Sequence, residues 1–299
     1  MNQSENESPR LSFEVFPPGS QATFDSLYRS LHQMEDLRPD FISVTCSNKL
    51  LSLKDTTVKI AEHIQSHHEV PSIVHLSAAY LSKTNVDEVL ELLHQKGIQN
   101  ILALRGDLYP EVPRSKEFLY AADLISYIKE WDPEFSVTAA CYPEGHPESA
   151  NTLEDIYHLR EKVNAGADQL ITQLFFDNER FYHFQEKCCL AGIQVPILAG
   201  IMPIVNKKQA ERIIRTAEVQ LPKKFLAILD KYADNPVALR AAGLAYAIDQ
   251  IVDLVTQGVS GVHLYTMNQS DIARSIYHAT HSLFQRRTES SVSNKQKHA

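Results

Sequence analysis

Eight apolar, strand-sized runs recur along this chain at nearly constant spacing, and that periodicity constrains the fold more than any other feature. The runs cover residues 11–16, 40–46, 71–77, 98–104, 135–141, 168–174, 195–201 and 260–265. Polar residues gather at their ends: Glu14, Thr45, His75, Arg105, Tyr142, Gln173, Met202-Pro203 and Tyr265. From Glu14 to Gln173 the successive spacings are 31, 30, 30, 37 and 31 residues, the length of one βα unit. Most intervening segments carry helical periodicity, as in Val86-Val89-Leu90-Leu92-Leu93 and Ile156-Leu159-Val163. The last gap is about twice as long and predicts two extra helices, around 220–231 and 235–257. This pattern predicts an α/β protein of one domain, a (β/α)8 TIM barrel over residues 10–286, with its site at the C-terminal strand ends. The competing fold, an open doubly wound sheet, usually announces a dinucleotide through G-x-G-x-x-G. The chain has ten glycines, and no two are spaced as G-x-G. The polar ends, residues 1–9 and 287–299, are expected to fray.

With 29 basic and 37 acidic residues the chain carries a net charge of −8. Clustered Lys and Arg interleaved with aromatics are absent, so nucleic acid is not an expected partner. The longest apolar runs are strand-sized, which argues against a membrane span, and Met1-Asn2-Gln3-Ser4 lacks a signal peptide's apolar core; a cytoplasmic protein is expected. The cysteines, Cys46, Cys141, Cys188 and Cys189, have no C-x-x-C spacing and are expected to be reduced thiols. No metal centre is expected.

In the first run, alternation puts Leu11, Phe13 and Val15 on one face and Ser12, Glu14 and Phe16 on the other. A carboxylate on so hydrophobic a strand must find a partner or keep its proton, and a protonated carboxyl group is what a general acid requires. Arg105-Gly106-Asp107 follows the apolar Ile101-Leu102-Ala103-Leu104; the glycine lets backbone approach a ligand closely, between opposite charges. Tyr142-Pro143-Glu144-Gly145-His146-Pro147-Glu148 presents an aromatic ring and an imidazole from a rigid loop. Beyond it, Asp155, His158 and Lys162 share one helix face, at i, i+3 and i+7, suited to the ribose and phosphates of a nucleotide cofactor. Gln173 supplies an amide that both donates and accepts, as recognition of an amide or pterin-like edge demands. Tyr265 closes the eighth run. There is no G-x-S-x-G elbow, P-loop or H-E-x-x-H, so nothing points to hydrolysis or phosphoryl transfer.

Taken in order, Ser12-Phe13-Glu14-Val15-Phe16-Pro17-Pro18, Ala103-Leu104-Arg105-Gly106-Asp107, the loop 142–148, Ala165-Gly166-Ala167-Asp168 with Ile171-Thr172-Gln173-Leu174-Phe175-Phe176-Asp177, and Gly200-Ile201-Met202-Pro203-Ile204 resemble the methylenetetrahydrofolate reductases over roughly residues 11–285. The resemblance implies noncovalent FAD on a (β/α)8 barrel. It also implies reduction of 5,10-methylenetetrahydrofolate to 5-methyltetrahydrofolate by NADH or NADPH, in a ping-pong sequence with hydride relayed through flavin N5. By position, Glu14 matches the general acid that protonates N10 and opens the five-membered ring to a 5-iminium cation. Asp107 matches the carboxylate near flavin and folate, able to stabilise that cation. Gln173 matches the amide that contacts folate and nicotinamide. The resemblance assigns Thr45, His75, Arg105, Gly106, Tyr142, His146, Asp155, His158 and Lys162 to cofactor binding, and Gln209, Tyr265 and Gln269 to substrate binding. It places the protein in one-carbon metabolism, on the route to methionine.

The chain departs from the family pattern at Cys46-Ser47-Asn48-Lys49, where Tyr-Gly-Ala usually follows the threonine. Ile213 stands where bacterial relatives have a stacking phenylalanine, and Gln269 where a basic residue is expected near the folate glutamate tail. No counterpart of the S-adenosylmethionine-binding regulatory domain of eukaryotic relatives is expected. The altered positions keep a second electron source open, a partner flavoprotein or ferredoxin in place of the nicotinamide. A flavin- or folate-binding barrel without turnover would have no need of a proton donor, so Glu14 argues against it. An unrelated barrel lyase would be colourless, so a yellow protein would argue against that. Oligomeric state, including a homo-oligomer, is left open.

Overall fold

A computed structural model describes residues 8–19, 21–46, 53–109, 111–216 and 219–285. Every one of the apolar runs forms a strand: β1 Arg10–Val15, β2 Phe41–Val44, β3 Ser72–Ser77, β4 Asn100–Leu104, β5 Ser136–Cys141, β6 Gln169–Thr172, β7 Ile197–Ile201 and β8 Gly261–Tyr265. Neighbours in sequence pair in parallel, and β1 returns to β8 to close the barrel. The helices are α1 Gln21–Gln33, α2 Val58–His67 (entered through a π-helical turn at Leu53–Thr57), α3 Lys83–Gln95, α4 Ala121–Trp131, α5 Thr152–Asn164 and α6 Asn178–Leu190. Between β7 and β8 lie α7 Lys207–Thr216, α8 Lys223–Lys231 and α9 Pro236–Thr256, and α10 Ser270–Thr280 follows β8. The two extra helices expected in the long gap are α8 and α9.

Alternation along the strands sorts the core into two parts. Outward residues such as Phe13, Val15, Ile42, Val44, Val74 and Leu76 merge with the apolar stripes of the helices, among them Val89, Leu93, Ile125 and Ile251, into one large core. Inward residues Phe41, Ile73, Leu102, Ile171 and Leu198 form a separate plug inside the barrel. A closed parallel barrel buries both faces, so its strands read as continuous apolar runs. Glu14 is on the inner face as alternation requires, opposite Ser43 of β2 and Tyr265 of β8. Phe16 is not. β1 ends at Val15, and Phe16 is 38% exposed, its backbone held by Asn268 through Phe16 N–H to Oδ1 at 3.0 Å and Nδ2–H to Phe16 O at 2.9 Å.

The long β7–β8 connection covers a smaller apolar cluster of Leu174, Phe176, Ile204, Ala210, Ile213 and Phe225. Gly243 lets α9 press on this region: a Cβ there would lie 1.8 Å from the carbonyl oxygen of Ile204. All four cysteines are free thiols. Among the described residues no helix is long and apolar enough to cross a membrane. Apart from residues 8 and 9, the ends expected to fray lie outside the described residues, as do Ser47, Asn48 and Lys49.

Candidate active site

The C-terminal strand ends surround a cavity of about 550 Å³. Its walls include Glu14, Thr45, His75, Arg105, Gly106, Asp107, Tyr142, His146, Asp155, His158, Lys162, Gln173 and Tyr265. The topology thus brings together residues spread over some 250 positions of sequence (14 to 265). A second cavity of about 580 Å³ adjoins it, sharing Arg105, Asp107, Tyr142, His146 and Gln173.

At the floor, Glu14 Oε2 lies 3.5 Å from His75 Nε2 on β3 and 3.6 Å from His263 Nε2 on β8. Burial drives the His75 pKa down to about 4, against the opposing pull of Glu14. Its Nε2 is buried without a hydrogen-bond partner. His263 is fully buried between two serines, with Nδ1 at 2.8 Å from Ser12 Oγ and Nε2 at 3.2 Å from Ser43 Oγ. Tyr265 donates its hydroxyl to Thr172 O at 2.7 Å, and burial holds its pKa well above the ordinary phenol value. Its ring fills the space of an absent side chain: a Cβ on Gly200 would sit 2.8 Å from Tyr265 and 2.3 Å from Thr172 O. Tyr265 therefore offers the cavity a ring, with its O–H committed to backbone.

One wall comes from the turns after β4 and β5. Gly106 and Gly145 both have φ of +90°, a left-handed conformation that a side chain would strain. These turns set Arg105 against Glu148, which accepts from both terminal guanidinium nitrogens at 2.5 and 2.6 Å. His146 Nδ1 accepts from Glu148 N–H at 3.1 Å, so the neutral ring carries its proton on Nε2. Burial also lowers the His146 pKa. Tyr142 is packed between the His146 ring, at 4.6 Å, and Lys162 Nζ, at 5.8 Å from the ring centre.

Helix α5 starts cleanly because Asn151 accepts from the Leu153 and Glu154 amides, a side-chain cap. It projects Asp155, His158 and Lys162 to the cavity wall. Burial raises the Asp155 pKa and lowers that of Lys162, each partly offset by the other's charge. Lys162 Nζ donates to Ala140 O at 2.9 Å. Farther out, His158 meets Glu161 at 3.0 Å and stacks on Tyr120 with ring centres 5.9 Å apart. Gln173 Oε1 accepts from Leu174 N–H at 2.9 Å, which fixes the side chain and leaves its N–H donors for recognition.

Two expected substrate positions, Gln209 and Gln269, line neither cavity, and nor does Ile213, where the chain departs from the family pattern. Gln209 closes on its own turn, donating to Pro203 O at 2.9 Å and accepting from Val205 N–H at 3.1 Å. Gln269 is the N-cap residue of α10 and lines neither cavity. Ile213 is buried in the small cluster under α8, so no ring reaches the mouth from that position. Cys46 packs near Asp107, and burial pushes its thiol pKa up to about 12. Sequence reasoning missed Ser12, Ser43 and His263, although Val262-His263-Leu264-Tyr265 alternates and puts His263 on the face of Tyr265. It also passed over His63 and His67, spaced i, i+4 on α2. Their rings stack at 4.2 Å, and among the described residues no group of three or more His, Cys, Asp or Glu is arranged to hold a metal ion.

The walls suit an extended ligand that is flat at one end and anionic in the middle. Leu102, Leu104 and Ala140 are apolar, Arg105 and Lys162 supply positive charge, and Asp155, His158 and Glu161 can bond to hydroxyls. Fold and site together define a (β/α)8 barrel whose mouth combines a carboxyl–imidazole floor with a long charged cleft. Within that class the chain belongs to the methylenetetrahydrofolate reductase family, whose sequence model matches residues 1–281. It is 34% identical over 268 residues to the 5,10-methylenetetrahydrofolate reductase of Pectobacterium carotovorum subsp. carotovorum, covering 90% of this chain and 89% of that one. The Escherichia coli (strain K12) protein of the same name is 33% identical with the same coverage. Methylenetetrahydrofolate reductase (NADH) 1 of Arabidopsis thaliana is 33% identical over 281 residues, 89% of this chain but 47% of that one. Among solved structures, an uncharacterized Clostridium thermocellum protein that binds two copies of 5-methyl-5,6,7,8-tetrahydrofolic acid superimposes with a TM-score of 0.60 at 13% identity, covering 93% of this chain and 96% of that one. That likeness is one of fold.

Proposed function

We propose that this protein reduces 5,10-methylenetetrahydrofolate to 5-methyltetrahydrofolate, with noncovalent FAD in the barrel mouth and NADH or NADPH as electron donor. The observation that carries the reading is the convergence of Glu14, Asp107 and Gln173 on one cavity in a chain of this family. The cleft fits the cofactor: Arg105 and Lys162 would face its diphosphate, Asp155 and His158 its ribose hydroxyls, and Tyr142 and Leu104 its ring system. When bound, the flavin would supply the hydride. The protein's own residues do the rest. Glu14 delivers a proton to N10 as the C–N bond of the five-membered ring breaks, the bond's electrons staying on nitrogen. Asp107 opposes the positive charge that develops at N5. Gln173 orients the folate through its N–H donors.

The test separates two half-reactions. Glu14→Gln is nearly isosteric, so fold and FAD binding should survive. Reduction of the bound flavin by NADH needs no proton from Glu14, whereas folate ring opening does. General acid catalysis is worth about 10²–10⁴ in rate, so the folate half-reaction should fall by that order while flavin reduction changes little. Stopped-flow flavin absorbance follows both. If both slow together, Glu14 is structural; if neither slows, another group is the acid. Ile213 is buried in the small cluster and lines neither cavity, which favours one second reading, with the same folate chemistry but electrons from a ferredoxin or flavoprotein. Rapid NADH oxidation by the purified protein with menadione as acceptor would eliminate it.

A further inference from the structure

We infer that His75 is the positioning residue for Glu14, holding the carboxyl group in place in both of its protonation states. This rests on the proposed reading of Glu14 as the proton donor. Glu14 Oε2 stands between two imidazole Nε2 atoms, at 3.5 Å from His75 and 3.6 Å from His263, but the two rings are not equivalent. Both ring nitrogens of His263 are engaged by serines, Nδ1 by Ser12 Oγ at 2.8 Å and Nε2 by Ser43 Oγ at 3.2 Å, which ties its tautomer to their hydroxyl protons. Tyr265, another titratable neighbour, spends its O–H on Thr172 O.

His75 has no such constraint at Nε2. Its side chain is 8% exposed, and Nε2 has no partner other than the facing carboxyl group. As one tautomer it accepts from the acid, and as the other it donates to the carboxylate. The change moves one proton from Nδ1 to Nε2 and leaves the ring neutral. Glu14 loses its proton to the substrate nitrogen and regains one from solvent. At 3.5 Å the contact is a slight side-chain rotation from a hydrogen bond, the looseness expected of a catalytic pair without substrate.

The experiment compares His75→Phe, which keeps an aromatic ring but has no hydrogen-bonding atom, with His75→Gln, whose amide both donates and accepts. Each is made alone and with Glu14→Gln. In FAD-saturated protein, His75→Phe should slow the folate half-reaction at least about tenfold, a part of what general acid catalysis supplies. His75→Gln should recover most of that loss, and neither should slow the Glu14→Gln protein further. Flavin reduction by NADH, measured in the same FAD-saturated variants, corrects for any effect of His75 on the flavin, and the folate half-reaction should fall further than it does. A second readout needs neither cofactor nor turnover. The infrared carboxyl band of Glu14, isolated as wild type minus Glu14→Gln, should titrate at a shifted pH in His75→Phe and close to wild type in His75→Gln. Losses that multiply in the double variant, or an infrared midpoint indifferent to His75, would overturn the inference. Absence of any folate half-reaction in the wild type would instead refute the proposed function, while the infrared titration would still test the His75–Glu14 pairing.

Discussion

Arg105 reaches the cavity with its guanidinium already engaged, bidentate, by Glu148. An anionic ligand approaching Arg105 must compete with that carboxylate. The Glu148 side chain is 56% exposed and that of Arg105 20%, so this bidentate pair contributes at most about 1 kcal/mol, the upper end for pairs open to solvent. Glu148→Gln should therefore leave thermal stability nearly unchanged and raise FAD affinity several-fold at low salt, with the gain fading as salt screens the site. Fluorescence titration with FAD at two ionic strengths measures this. A fall in affinity would mean that Glu148 holds Arg105 in its binding pose. Glu14, Arg105 and Gln173 were legible in the sequence because each stands at the end of an apolar run, where polarity stands out, and Asp107 because it follows Arg105 across a glycine. His263 was not, because its meaning depends on Ser12 and Ser43, which lie 251 and 220 residues away.

Helix α9 shows how packing can reverse a local preference. Replacing a helical glycine by alanine ordinarily stabilises by about 1 kcal/mol through helix propensity. At Gly243 the added Cβ would sit 1.8 Å from the Ile204 carbonyl oxygen, a backbone atom that cannot swing aside. Gly243→Ala should thus destabilise, by about 1–3 kcal/mol as overpacking typically does, and urea denaturation will read the sign directly. Strands and helices were legible from period alone, including the α8–α9 pair. Their ends were not: the run at 168–174 became a strand of only Gln169–Thr172, and Phe16 fell outside β1. The face that α5 sends to the mouth was legible from the i, i+3, i+7 spacing of Asp155, His158 and Lys162, but the fate of Gln209 on α7 was not. Gln209 has the right chemistry for substrate but satisfies its own turn.

Buried imidazoles also set how the whole barrel responds to acid. The His75 pKa is about 4 in the folded protein against an ordinary value of 6.5, so the unfolded chain binds the proton more readily. The stabilisation from keeping His75 neutral is present above pH about 6.5 and is lost as pH falls from there toward about 4. Within that window the slope from this one group approaches about 1.4 kcal/mol per pH unit. His63 and His68, whose pKa values burial also lowers, contribute in the same direction. Denaturant unfolding at several pH values should show stability falling below neutrality, with a shallower slope in His75→Gln. An unchanged slope would remove His75 as the source.

By itself the sequence determined the barrel, its βα count, the inward face of Glu14 and the family to which the chain belongs. These follow from local period and from short motifs, which need no knowledge of distant partners. Only the tertiary structure decided that Glu14 stands between two imidazoles, that Arg105 is held by Glu148, that the Tyr265 hydroxyl is spent on backbone, and that Gln209, Gln269 and Ile213 line neither cavity. Each of these depends on where closure of β1 against β8, or one turn against another, places atoms to within a few tenths of an ångström. Hydrogen bonding and burial change sharply over that distance, and periodicity carries no information about it.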